Sequence, residues 1–144
     1  TNWFNIKGDS KYMLIVAGIK DNKRVPLSKL DLRRNGTDKL NAIRSQVPAV
    51  THVDYSARIQ TVDGTSNPLF HSLIKRFDEI TGIPMLVNTS FNVRSEPIVC
   101  SPRDAFRCFM ATDLDMLVLG NYILYKSDQD DRVKHDYVGN FSLD

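Results

Sequence analysis

Apolar and polar positions fall into two kinds of pattern along this chain of 144 residues. One is the short, unbroken apolar run. Residues 12–19, bounded by Lys11 and Lys20, are rich in Ile and Val and predict a fully buried strand. Residues 85–87 predict a short buried strand, and residues 114–119 and 122–125 flank Gly120-Asn121, which predicts a hairpin. The other pattern is helical. Leu69, Phe70, Leu73, Ile74, Phe77 and Ile80 recur at helix spacing, with Lys75, Arg76, Asp78 and Glu79 on the other side. Asn67 is placed as N-cap, Pro68 at the first helical position, Gly82 as terminator, and Pro84 blocks continuation. Ser101-Pro102-Arg103-Asp104 predicts a second helix start, with Ala105, Phe106, Cys108, Phe109 and Met110 as its apolar face and an end near Thr112. Strands, helix, strand, loop, helix and hairpin in that order predict an α/β (α+β) layered domain with a mixed sheet.

The remaining segments carry weaker patterns. Residues 1–11 mix Trp3 and Phe4 with polar side chains and read as a lead-in from upstream structure. In residues 25–44, Asn35-Gly36 marks a turn, and Thr37 or Asp38 is placed as cap of a short helix through Ile43 or Arg44, with Leu40 and Ile43 inward. Arg33-Arg34 could touch phosphate or simply be solvated. Lys126 onward is charged and poor in apolar residues. The chain is read as one domain over residues 1–144, with 127–144 as a peripheral tail. It starts at Thr1 and is read as a piece excised from a longer protein.

Two stretches concentrate polar chemistry. From His52 the chain alternates. His52, Asp54, Ser56, Arg58 and Gln60 would share one face of an extended strand, and Val53, Tyr55, Ala57 and Ile59 the other. A solvated face is the ordinary reading of such a row. The mixture of imidazole, carboxylate, hydroxyl and guanidinium favours a ligand groove over it. The second stretch follows the apolar run at 85–87: Asn88, Thr89, Ser90, Asn92, Arg94 and Glu96, closed by Pro97. Amides, hydroxyls and a guanidinium at the end of a strand are how α/β proteins commonly hold an anion. A polar turn capping its own backbone explains the loop equally well when it is taken alone.

Composition narrows the classes. Hydrophobic content of 42% and charged content of 25% are ordinary for a soluble globular protein. The net charge of +2 comes from scattered Lys and Arg, which argues against a nucleic-acid face. No apolar run approaches the ~20 residues that span a bilayer. Cys100 and Cys108 are too few for a disulfide framework and read as reduced, mostly buried thiols of a cytoplasmic protein. His52, His71 and His135 show no metal-ligand spacing, and His71 reads as a surface or partly packed residue.

Taken together, residues 48–54 (PAVTHVD), 56–62 (SARIQTV), 88–92 (NTSFN), 96–99 (EPIV) and 115–120 (DMLVLG) resemble, in order and spacing, the C-terminal region of the O-carbamoyltransferase family. That family includes nodulation protein U and the antibiotic carbamoyltransferases, and the match runs from about residue 12 to 126. The resemblance implies a YrdC-like fold, a twisted mixed sheet flanked by helices, in which carbamoyl phosphate and ATP, with Mg2+ in the substrate complex, become carbamoyl adenylate. It implies an N-terminal Kae1-like domain of the same polypeptide as partner, which holds the metal ion of the transfer site and passes the carbamoyl group to an acceptor hydroxyl.

Carried over residue by residue, Arg58 and Ser90 are implied as the catalytic pair holding phosphate or carbamoyl phosphate. His52, Asp54, Ser56, Asn88, Thr89 and Asn92 line the pocket, and the assignment extends to Arg94. The residue types suit the chemistry. Adenylate formation needs charge neutralised on the α-phosphate and the departing pyrophosphate, and a planar Arg fork spans two phosphoryl oxygens better than Lys does. The family has Gly where this chain has Ser95, and further basic residues of the phosphate site are implied upstream of Thr1. The competing reading is a non-catalytic YrdC-like RNA-binding module, which steep salt dependence of binding would reveal. A folded fragment too truncated to bind ligand is a third.

Overall fold

In the computed structural model, residues 2–93 and 96–130 are described. The chain divides into two units, Thr1–Val87 and Asn88–Asp144, each with its own apolar cluster.

In the first unit, strand β1 (Ile15–Gly18) pairs antiparallel with β2 (Ser56–Ile59), placing Val16 opposite Arg58 and Ala17 opposite Ala57. The N-terminal segment is joined to this pair and is no mere lead-in. Phe4 bridges to Ile19, the Asn5 amide donates to the Gly18 carbonyl at 2.8 Å, and the Lys20 amide donates to the Trp3 carbonyl at 2.9 Å. The reason is the Trp3 side chain. It packs with Ile19 and Val47 as the unit's core, with Phe4, Val50, Tyr55, Ile83 and Met85 against it and the Lys23 ammonium 4.1 Å from its ring centroid. The first apolar run is not fully buried. Ala17 and Ile19 are buried, but Leu14 and Val16 are exposed, because a two-stranded antiparallel pair is covered here on one face only.

Helix α1 (Lys29–Leu32) is an addition to the elements that the pattern predicts; Ser28 and Asp31 start it with a full capping box. The helix expected next is instead a 3-10 turn, Gly36–Asn41, with Leu40 and Ile43 exposed. Asn35 supplies no side-chain cap, and Ala42 is extended. The buried Arg44 binds the Ala42 and Lys39 carbonyls at 2.8 and 2.5 Å, so these acceptors are satisfied without a helical ladder.

Helix α2 (Pro68–Thr81) forms as the spacing predicts. Asn67 accepts from the Phe70 amide at 3.3 Å, and Gly82 ends the helix at φ 73°. No residue of α2 is buried. His71 is half-buried, as read. Residues 85–87 make no strand. The Met85 amide returns to the Ile83 carbonyl at 2.9 Å, curling the chain over Pro84, and Val87 is exposed.

In the second unit, α3 (Pro102–Ala111) starts on Ser101, whose hydroxyl accepts from the Asp104 amide at 3.2 Å and donates to the Asp104 carboxylate at 2.6 Å. Its Ala105, Phe109 and Met110 pack with Leu117 of β3 (Met116–Leu119), joined by Phe91, Val99, Phe106 and Leu124. β4 (Tyr122–Tyr125) returns antiparallel through a turn with Gly120 at φ 59°. Lys126 is structural, not peripheral. Its ammonium bonds the Phe109 and Thr112 carbonyls at the C-terminal end of α3, where a cation is favoured, and lies over the Phe109 ring. Cys108 is buried and Cys100 is exposed, which corrects the expectation for the latter; both are free.

The class is α+β. In place of one mixed sheet, the described residues form two separate two-stranded antiparallel sheets. No helix among the described residues is long and apolar enough to cross a membrane. Residues 131–144, most of the expected tail, lie outside the described residues.

Candidate functional site

The expected row from His52 to Gln60 is only partly a strand. Residues 56–59 are extended, while 52–55 turn, with Tyr55 at φ 65°. A non-glycine residue in this left-handed region costs about 1–2 kcal/mol. The Tyr55 carbonyl accepts from the Ile19 amide at 2.8 Å, its amide donates to the His52 carbonyl at 3.1 Å, and the Arg24 guanidinium lies 5.0 Å from its ring centroid. These contacts over-determine the conformation. The turn breaks the alternation, so His52 and Asp54 do not share a strand face with Ser56 and Arg58. It still gathers three of the four.

The Ser56 hydroxyl donates to Asp54 Oδ1 at 2.6 Å, and the Ser56 amide donates to the same oxygen at 3.0 Å. His52 Nδ1 lies 2.9 Å from Ser56 Oγ. The two Ser56 donors hold the Asp54 carboxyl below its usual range, so it is an acceptor only. Ser56 therefore spends its proton on Asp54, and His52 Nδ1 must carry the hydrogen it donates to Ser56. This order of groups does not activate Ser56 as a nucleophile, because the Asp54 carboxylate that accepts its hydrogen bond is held acidic and is too weak a base to take the proton. It locks the turn, and leaves His52 Nε2 without a hydrogen bond among the described residues. A shallow depression lies against Leu40, His52, Val53 and Asp54.

Arg58 projects from the exposed face of β2. Its Nε donates to the Met13 carbonyl at 2.5 Å, and its two terminal nitrogens have no hydrogen-bond partner among the described residues. One nitrogen is thus used to aim the fork, and the other two remain for an anion.

Asn88, Thr89, Ser90 and Asn92 belong to the second unit. Asn88, Thr89 and Ser90 are exposed, and the Thr89 and Ser90 hydroxyls make no hydrogen bond among the described residues. Asn92 departs from its expected role as a pocket amide. Its Nδ2 donates to the Val93 carbonyl at 3.1 Å and to the Glu96 carbonyl at 2.9 Å, spending both hydrogens on backbone. Glu96, which the sequence reading did not assign to the site, is buried and accepts from the Val93 amide at 3.0 Å. The Glu96 amide returns to the Val93 carbonyl at 3.1 Å, and the Val99 amide donates to the Phe91 carbonyl at 2.9 Å. Arg94 and Ser95 lie outside the described residues. The sequence signals for Glu96 are its place between an anion-type loop and an apolar segment and its position at the head of the 96–99 (EPIV) motif. Burial is what makes it informative.

Among the described residues no three of His, Cys, Asp and Glu converge as metal ligands.

The sequence of residues 1–126 matches the family described as carbamoyltransferase C-terminus. The chain belongs to that family. It is 51% identical, over 91% of its own length and 21% of the relative's, to an uncharacterized protein of Synechocystis sp.. It is 49% identical over 58% of its length and 12% of the relative's to nodulation protein NolNO of Sinorhizobium fredii. Similarity to the 3'-hydroxymethylcephem-O-carbamoyltransferase of Streptomyces clavuligerus is 42% over 54% of this chain and 15% of that enzyme. The chain thus spans about a fifth or less of the length of these relatives.

Proposed function

We propose that this chain serves the C-terminal part of an O-carbamoyltransferase and binds carbamoyl phosphate and Mg-ATP for the synthesis of carbamoyl adenylate. A carbamoyl oxygen displaces pyrophosphate from the α-phosphorus. The phosphate of carbamoyl phosphate leaves as inorganic phosphate, and one water is consumed. The adenylate then passes its carbamoyl group to an acceptor hydroxyl on the N-terminal, Kae1-like part of the longer polypeptide, where the metal ion of the transfer step is expected. The proposed setting is the cytoplasm, where both nucleotide and carbamoyl phosphate are at hand.

Family membership supports this reading, together with one observation from the structure: the exposed Arg58 fork, aimed by Met13, with two nitrogens still available. In the first unit Arg58 neutralises phosphoryl charge; in the second the Ser90 hydroxyl donates to a phosphoryl oxygen. Thr89 and Asn88 flank Ser90, and Arg94 adds positive charge. His52, Asp54 and Ser56 shape the turn that precedes Arg58. Asn92 acts through the backbone it braces.

Amide resonances followed by NMR test the reading, with carbamoyl phosphate or Mg-ATP titrated into the chain and into Arg58→Ala. Arg58 is exposed, so the variant should fold. The expected result is saturable shifts near Arg58 and residues 88–93, weakened about tenfold or more in the variant, as for loss of a charge-assisted contact. A folded chain with no saturable shift at millimolar concentrations of either ligand would overturn the proposal.

A further inference from the structure

The loop at 88–92 raises a mechanical question. Residues 88–90 are exposed and belong to no helix or strand. Something must nevertheless set where they leave the core. Phe91 packs against the cluster of Ala105, Phe109, Met110 and Leu117 and gives one anchor. The other is a pair of side chains. Asn92 ties together the carbonyls of Val93 and Glu96, and the buried Glu96 carboxylate holds the Val93 amide.

A buried carboxylate is costly unless its acceptors are used, and here it lies against α3, beside Cys108. Burial first, then the Glu96 charge and a hydrogen bond to it, push the Cys108 thiol up, so the thiol stays protonated and available as a donor. A neutral thiol and the Val93 amide thus converge on one carboxylate, four residues past the end of the loop that carries the exposed hydroxyls.

We infer that Glu96 is a positioning residue: with Asn92 as its brace, it fixes the backbone that presents Thr89 and Ser90 to an anionic ligand. It touches no ligand itself. The inference rests on the proposed function, since it names what orients the same loop. The role needs an acceptor at the right reach rather than a hydrogen-bonded ligand, so three substitutions separate the possibilities. Glu96→Ala removes the acceptor. Glu96→Asp keeps the charge but withdraws the oxygens by one methylene. Glu96→Gln keeps the length and one acceptor oxygen.

The measurement is the set of amide and Asn side-chain resonances of the whole chain, first without ligand and then with carbamoyl phosphate. Without ligand, Glu96→Ala and Glu96→Asp should displace the Thr89, Ser90 and Asn92 resonances and leave those of β3 and β4 in place. Glu96→Gln should restore them. With carbamoyl phosphate, affinity should fall about tenfold in Glu96→Ala or Glu96→Asp and recover to within about threefold in Glu96→Gln. If Glu96→Ala does not fold, Glu96→Asp carries the test. Wild-type loop resonances in a folded Ala or Asp variant would overturn the inference, as would an affinity loss in Gln equal to that in Ala. The ligand-free resonances stand apart from binding. A wild-type chain that binds neither ligand therefore defeats the proposed function, while the loop resonances alone still judge Glu96.

Discussion

Helices α2 and α3 open in the same way and end up in different surroundings. Each has a polar N-cap followed by proline, Asn67-Pro68 and Ser101-Pro102, and each cap side chain accepts the amide three residues on. Each carries an apolar stripe at helical spacing. Yet α3 buries Ala105, Cys108, Phe109 and Met110, while α2 buries nothing, with Leu69 82% exposed and Ile80 70% exposed. Capping and periodicity decide that a helix forms. They do not decide that its stripe is covered. α3 is covered because the hairpin of β3 and β4 brings Leu117 and Leu124 onto it and Phe91 and Val99 arrive from the preceding loop. α2 is held by its caps and by the partial burial of Ile74. The exposed Arg76–Glu79 pair at 2.9 Å adds little.

The largest test of this difference is a core truncation. Phe109→Ala should destabilise the second unit by about 3–5 kcal/mol. Urea unfolding followed at resonances of β3 and β4 reads it. A loss below about 1 kcal/mol would mean that the cluster around Phe109 is not the unit's core.

Cap removal should have a smaller effect and should act on both helices alike. Ser101→Ala and Asn67→Ala should each cost about 1 kcal/mol. Hydrogen exchange at the Asp104 and Phe70 amides, the two capped donors, would report it. A loss at Ser101 with none at Asn67 would show that α2 does not depend on its cap.

Acid should loosen both helix approaches, with a definite sign. The Ser101 hydroxyl holds the Asp104 carboxyl below its usual range, and the Ser66 hydroxyl and amide with the Thr65 amide hold Asp63 down to about 2, ahead of α2. A carboxyl lowered in the fold contributes stability above its unfolded value of 3.8 and loses it as pH falls through the folded value. For Asp63 that window runs from 3.8 down to about 2. Asp63→Asn should flatten the local pH dependence in this window at the Thr65 and Ser66 amides, and an unchanged titration there would remove Asp63 as the cause.

The smallest effect belongs to the exposed stripe. Leu69→Gln should change unfolding free energy by no more than about 0.5 kcal/mol. A loss comparable with that of Phe109→Ala would show that the α2 stripe is covered in solution.

The candidate site divides along similar lines. Its residue types were legible: Arg58 and Ser90 stand out as donors in an otherwise ordinary composition, and both prove exposed with donors available. Asn92 looked the same and is not, because its amide is spent on two carbonyls. Nothing local distinguishes an amide that faces a ligand from one that closes its own loop. Glu96 shows the reverse. Glu96 stands at the end of the same polar stretch without an assigned role, and burial and the Val93 amide identify it as a support.

By itself, the sequence determined whatever is local in its physics. Helix starts at Asn67 and Ser101, the terminator Gly82 and the Gly120 turn follow from capping and from glycine's access to positive φ, which act over a few residues. The family is also written there, in the order and spacing of short motifs. Only the tertiary structure decided which apolar stretches are buried, that Trp3 belongs to a core, that residues 85–87 curl instead of pairing, and that Tyr55 turns the chain after His52. Those outcomes depend on partners distant in sequence. A residue's burial is a property of what covers it, and the residue itself does not encode its cover.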